Sequence, residues 1–302
     1  MKQFSHNTVI IVAGPTASGK TAFAIRLAKQ LGAEIISADS RQCYKELNIG
    51  VARPTPEELN EVPHHFIASH SITDEVTAAT FADYALQKVK ELFLKNKVVI
   101  MVGGTGLYIK AFCEGLDVIP AIDKSIRENI TASYEKYGLE WLQQQVKEKD
   151  AAFFAEGEIQ NPSRLMRALE VVEGTGKSVL SFRTGKKEQR DFEIIKLGIR
   201  LPKEQLHQRI SERVDKMMEA GLPDEVKGLI AYKHLNALQT VGYAEMFDYL
   251  DGKTTLTEAA ELIKIHTRQY AKRQMTWFKK DEAIKWIDTN ADTVEQVLTN
   301  QI

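Results

Sequence analysis

The segment Gly14-Pro15-Thr16-Ala17-Ser18-Gly19-Lys20-Thr21 has the spacing G-x-x-x-x-G-K-[ST] of a phosphate loop. An apolar run, Val9-Ile10-Ile11-Val12-Ala13, precedes it, and a helical stretch from Ala22 to Leu31 follows. A strand feeding a glycine-rich turn and then a helix is the opening unit of a parallel α/β sheet. The glycines allow the backbone N–H groups to turn inward, and the helix N-terminus adds partial positive charge. Lys20 is placed to reach a terminal phosphate pair, and the Thr21 hydroxyl to ligand Mg²⁺. The loop therefore specifies a diphosphate or triphosphate, but not the reaction performed on it.

The rest of the chain continues the alternation. Glu34 to Ala38 reads as a short strand ending in Asp39-Ser40-Arg41-Gln42, and Val62 to Ile67 as an edge strand. Between Thr77 and Leu94, apolar residues recur every three to four positions, as on a helix. Val98 to Val102 is an unbroken apolar run, expected of a strand covered on both faces, and it ends in Gly103-Gly104-Thr105-Gly106. The stretch 123–190 is polar and helical in pattern, whereas Ile194 to Ile199 reads as a strand rejoining the sheet. Helices are expected over Lys203–Ala220, Asp224–Tyr232, Ala244–Leu250 and Leu256–Phe278, with a late strand at Ala283–Ile287. The expected fold class is α/β: a parallel sheet with helices on both faces, formed by 1–112 and 194–302, with a mostly helical insertion at 113–193.

At 302 residues, a length prior allows about two domains. A net charge of −1 argues against blanket nucleic-acid binding while leaving room for local basic patches. The N-terminal Met1 to Asn7 is polar, no apolar run is long enough to span a membrane, and Cys43 and Cys113 lack metal-like spacing. The expected setting is the cytoplasm, with no membrane partner, and the expected assembly is a monomer.

Asp39 is the strong carboxylate at a strand end near the loop. It is open to ordering a metal shell, to acting as a general base, or to capping a following helix. Thr105, between glycines, either lets a charged ligand approach the backbone closely or caps a tight turn. His64 and His65 are adjacent on a strand and point to opposite faces, so they read as packing residues rather than joint metal ligands. From Arg268 to Lys280 the cations Arg268, Lys272, Arg273, Lys279 and Lys280 interleave with Tyr270, Trp277 and Phe278, without an acid. That composition suits a nucleic-acid backbone, or else a helix with packed aromatics and solvated cations. Arg164 with Arg167, and Arg209 with Arg213, each place two guanidinium groups on one helix face, as phosphate clamps or as surface cations with acidic partners.

Taken in order, these segments resemble one family, the tRNA dimethylallyltransferases. The resemblance runs through the phosphate loop, Ile35 to Gln42, Val62-Pro63-His64-His65, Val102 to Tyr108, Arg164 to Glu170, Val241-Gly242-Tyr243 and Arg268 to Phe278. It implies a kinase-like phosphate-loop domain whose helical insertion grips a tRNA anticodon stem. It also implies transfer of a five-carbon group from dimethylallyl diphosphate to N6 of the adenine on the 3′ side of the anticodon, with Mg²⁺ as cofactor. Under that resemblance Gly14 to Thr21 bind the diphosphate and Thr21 the metal. Asp39 is the base, Thr105 positions substrate, and one of Arg209 and Arg213 assists the diphosphate. The tRNA contacts implied are Asp39, Ser40, Arg41, Gln42, Thr105, Arg127, Ser163, Arg164, Leu165, Met166, Arg167, Gln239, Thr240, Val241, Gly242, Tyr243, Arg268, Lys272 and Arg273. Two departures stand out: Ala244 where the family has an arginine, and Ile49-Gly50-Val51-Ala52-Arg53-Pro54 where it has I-G-T-A-K-P. A small-molecule kinase and an RNA-binding protein with a decayed loop are the competing readings.

Overall fold

In a computed structural model of the chain, which describes residues 4–288 and 293–300, six strands form one parallel sheet. They are β1 (Thr8–Ala13), β2 (Ile35–Ala38), β3 (His64–His65), β4 (Val98–Gly103), β5 (Glu193–Ile199) and β6 (Ile284–Ile287). Their order is β3-β2-β4-β1-β5-β6, with β1 paired in parallel to both β4 and β5. Met1 to Gln3, the start of the polar N-terminal segment, lie outside the described residues.

Alternation along the central strands divides the core. Val9 and Ile11 of β1 and Val99 and Met101 of β4 face one side; Ile10, Val12, Val98, Ile100 and Val102 face the other. Both strands are buried along their whole length, so the unbroken apolar runs have their physical reason in two covered faces. On the second side lie α1 (Lys20–Leu31), through Phe23, Leu27 and Ala28, and the C-terminal helix at Val294–Asn300, through Val297 and Leu298. In chain order the intervening helices are α2 (Pro56–Glu61), α3 (Ala78–Phe93), α4 (Gly106–Glu114), α5 (Lys124–Lys149), α6 (Ala151–Glu156), α7 (Pro162–Thr175), α8 (Lys203–Glu219), α9 (Leu222–Lys227), α10 (Tyr243–Leu250) and α11 (Leu256–Phe278). The first side is covered by Phe81, Ala85 and Val89 of α3, Phe112 of α4, Tyr243 and Met246 of α10, and Ile263 of α11. No described helix is long and apolar enough to cross a membrane.

Two compact units emerge, residues 1–113 with 189–302, and residues 114–188. The second has its own core of Ile130, Leu142, Val146, Phe153, Leu165 and Leu169, drawn from α5, α6 and α7. In the first, Arg190 donates to the carbonyls of Phe112 and Ala111, and Phe192 stacks on Phe112 at 5.7 Å, which fastens the returning chain ahead of β5.

Two elements are shorter than their patterns imply. The edge strand expected over 62–67 is only two residues long, because Phe66 (φ +63°) and Ala68 (φ +47°) turn the backbone into the left-handed region. The helix expected over 224–232 runs from Leu222 to Lys227, where Gly228 caps it, and resumes as a single tight turn at Ile230–Tyr232.

β2 and β4 approach most closely at Gly103, where a Cβ would collide with the carbonyl of Ala38. Gly103→Ala is expected to cost about 1–3 kcal/mol, the range for overpacking a tight core. The check is the urea midpoint, which should fall at unchanged slope.

Candidate active site

The carboxyl ends of β1, β2 and β4 carry the three loops of the site, as an open parallel sheet requires. In the first, Gly19 (φ +86°) and Ala17 (φ +61°) turn the chain so that α1 begins at Lys20. Ala17 holds this conformation without glycine's freedom, which stores strain in the loop. The Ser18 N–H and the Lys20 ammonium both donate to the Pro15 carbonyl, at 3.3 and 3.1 Å. The Ser18 hydroxyl is fully buried and has no partner among the described residues. Burial, and then the nearby Arg213 guanidinium, pull the Lys20 ammonium down to about 8, against the opposing field of Asp39. Burial lowers Arg213 as well, and Asp39 again opposes it.

In the second loop, Asp39 Oδ1 accepts from the N–H groups of Arg41 (2.9 Å) and Gln42 (3.2 Å). No helix follows Asp39, so the expected helix cap is replaced by a turn over residues 40–43 whose N–H groups occupy one carboxylate oxygen. In the third, Thr105 Oγ1 accepts from the Ser40 N–H at 3.1 Å, and the Thr105 N–H donates to Ala38 at 3.3 Å. Burial, and then the nearby Asp39 charge, push the phenol of Tyr270 on α11 up to about 12.

The glycines around Thr105 allow a close approach, as their spacing suggested. A Cβ at Gly104 would collide with the Gln274 amide, and one at Gly106 with the Trp277 indole. They admit the protein's own helix α11. Gln274 itself, 7% exposed, was not singled out by sequence; a glutamine in a basic, aromatic stretch carries no local signal.

Three cavities meet here. An inner one of about 470 Å³ is lined by Asp39, Ser40, Arg41, Gln239 to Gly242, Tyr270 and Arg273. An outer one of about 670 Å³ is lined by Gly19, Lys20, Thr21, Arg53 and Arg209, and a small one of about 60 Å³ by Thr16, Lys20, Thr21, Asp39, Gln42 and Gln274. Arg213 lines all three, whereas Arg209 lines only the outer one. Ala244 lines the inner cavity, where the family arginine is absent. Arg53 donates to the carbonyls of Tyr44, Lys45 and Leu47 and so holds the outer wall.

Other expected contacts are placed differently. Tyr243 is fully buried and its hydroxyl donates to Glu225 at 2.6 Å. The same carboxylate accepts from the N–H groups of Ile49 and Gly50, so Tyr243 braces the cavity wall and its side chain offers no surface to a partner. Arg268 donates to Ser211 of α8 at 2.8 Å, while Lys272 and Arg273 are exposed. Gln42 donates to the carbonyls of Val51 and Ala52. His64 bonds the Val62 carbonyl and His65 bonds Glu34, each through one ring nitrogen at 2.7 Å. In the unit 114–188, Leu165 is fully buried and Met166 partly so, but Ser163, Arg164 and Arg167 are exposed. Arg127 and Arg167 converge on Glu170, at 3.4 and 2.9 Å, and Arg164 lies 3.3 Å from Glu158.

Residues 42–281 match the family model described as IPP transferase. The chain belongs to the IPP transferase family. It is 47% identical to a tRNA dimethylallyltransferase of Cytophaga hutchinsonii over 94% of this chain and 93% of that one. It is 44% identical to tRNA dimethylallyltransferase 1 of Bacteroides thetaiotaomicron, over 95% and 93%. Among solved structures, the full-length tRNA isopentenylpyrophosphate transferase of Bacillus halodurans superposes with a TM-score of 0.71 at 34% identity, covering 97% of this chain and 94% of that one. The matched region of the family model begins beyond the phosphate loop.

The Lys20 ammonium has a pH signature. Its pKa is lowered from 10.5 to about 8 by folding, so the cost of burying the charge is fully present below 8 and relieved by 10.5. The wild type should therefore gain stability relative to Lys20→Met as pH rises through that window. Paired denaturant titrations between those limits check the sign.

Proposed function

We propose that this chain transfers the dimethylallyl group of dimethylallyl diphosphate to N6 of the adenosine on the 3′ side of a tRNA anticodon, releasing diphosphate. The observation that carries the reading is the convergence of Lys20 and Thr21, Asp39 and Arg213 on one small cavity joined to two larger ones, in a chain of this family. The diphosphate takes the phosphate loop from Gly14 to Thr21, with Lys20 and Arg213 as its cations. Of the two arginines on α8, Arg213 is assigned this role, since it lines the small cavity together with Lys20, Thr21 and Asp39, whereas Arg209 lies beside Gly19 in the outer one. The adenine, turned out of its stack, takes the inner cavity beside Asp39.

In the transfer, the bond between the allylic carbon and the diphosphate oxygen breaks as the bond from N6 forms. Asp39, with Oδ1 held by its cap, takes the N6 proton on Oδ2. Thr105 keeps Ser40 in place beside it. The Thr21 hydroxyl and Asp39 carboxylate that share the small cavity are hard oxygen donors of the kind Mg²⁺ takes together with waters. Thr21 would hold the ion, which when bound supplies positive charge to the leaving diphosphate. Arg41, Lys272 and Arg273 meet the tRNA backbone, as do Arg127, Arg164 and Arg167 of the unit 114–188.

The direct test incubates the protein with Mg²⁺, dimethylallyl diphosphate and unmodified tRNA, then weighs the digested nucleosides. A dimethylallyl-sized gain on adenosine is expected; no gain, with ATP turnover in a parallel reaction, would return the kinase reading. For the base, Asp39→Asn keeps the capping oxygen and should lose about 10²–10⁴-fold in turnover at unchanged tRNA affinity. Arg213→Ala should raise KM for the diphosphate more than Arg209→Ala does, as steady-state kinetics would show.

A further inference from the structure

The helix α11 faces two ways. Lys272 and Arg273 are exposed on it, and between them and the core sits the buried amide of Gln274. Gln274 Oε1 accepts from the Thr16 N–H at 2.8 Å, and its Nε2 donates to the Gly104 carbonyl at 2.9 Å. A single carboxamide thus closes on the backbone of both the phosphate loop and the loop that carries Thr105. Gly104 has no Cβ where that amide lies. Phosphate loops aim their N–H groups at the ligand. Here the N–H of Thr16 is committed to α11 instead, so the shape of the loop at Thr16 follows the position of that helix. On the same helix, Tyr270 and Arg273 line the inner cavity.

We propose that Gln274 is a positioning residue that couples the two substrates: tRNA held on α11 and diphosphate held in the phosphate loop each strengthen the other's binding through this amide. The inference rests on the prenyl-transfer reading. Its logic is that a buried amide bonded at both ends transmits position. A substrate that fixes α11 fixes Thr16, and a diphosphate that fixes the loop fixes α11. Coupling of this kind is reciprocal by thermodynamic necessity.

The experiment titrates inorganic diphosphate with Mg²⁺ into the protein by calorimetry, with and without saturating unmodified tRNA. It compares the wild type with Gln274→Ala and Gln274→Glu. In the wild type, tRNA should tighten diphosphate binding. Gln274→Ala should weaken diphosphate by about tenfold, the effect of one neutral hydrogen bond, and abolish the tightening. Its affinity for tRNA alone should not change. Gln274→Glu, nearly the same shape, keeps an acceptor for Thr16 but sets an oxygen against the Gly104 carbonyl. It should retain more diphosphate affinity than the alanine variant, and it decides the question if that variant does not fold. Wild-type affinity and coupling in folded variants would overturn the proposal. A wild type that binds both ligands with no coupling would overturn it while leaving prenyl transfer intact. A wild type that binds neither would overturn the prenyl-transfer reading and the coupling with it.

Discussion

Lys20 and Arg213 are drawn out of bulk water within each other's field, and the rest of the site answers to that expense. Burial disfavours both charged forms, and the Arg213 guanidinium further disfavours that of Lys20. The compensating charge is Asp39, whose field favours both cations. One carboxylate between two cations leaves a local surplus of positive charge, which an anion with several charges can satisfy. The phosphate loop, the end of β2 and one face of α8 must therefore converge, because each supplies one member of the trio. Asp39 also shows how a structural and a chemical role can share a residue without competing. The cap uses Oδ1, and no hydrogen bond to a protein donor holds Oδ2 among the described residues.

The loop after β4 illustrates how a glycine signal leaves its partner open. Close approach was the correct physical inference, and α11 approaches there through Gln274 and Trp277. The basic and aromatic stretch of that helix had two competing readings, nucleic-acid face or core packing. In the structure it is divided by residue. Ala271, Gln274 and Phe278 are buried, Arg268 reaches Ser211, and Lys272 and Arg273 are exposed. Helical periodicity permits this division, but it does not tell a reader which polar residue belongs to which side.

What was legible follows the same distinction. The fold was readable because its determinants are local and periodic: unbroken apolar runs in β1 and β4, a phosphate loop with its flanking elements, and capped helices such as α11 with Thr255 and Glu258. The site's charged members were readable from motif spacing. Its braces were not. The bonds from Gln274 to Thr16 and from Tyr243 to Glu225 join residues 258 and 18 positions apart, and neither pair follows a pattern along the chain. Leu165 lies in a segment whose neighbours Ser163, Arg164 and Arg167 are exposed, and only three-dimensional packing turns it inward. Between Arg209 and Arg213, one helical turn apart, spacing could not choose, because the choice depends on which side of the phosphate loop the helix passes.

The division of the chain also bears on how it is made. β1 gains one neighbour once β4 is complete at Gly103, but the other, β5, begins only at Glu193, and β6 at Ile284. Between them come residues 114–188, whose core draws on a contiguous stretch of sequence. Local contacts form quickly and distant strand pairings slowly. As the chain leaves the ribosome, the helical segment has all its partners at hand, while the most buried strand of the sheet still has an open edge. Such an edge is a template for unwanted pairing until it is filled. The time taken to synthesise the helical segment therefore sets how long the nascent sheet stays exposed.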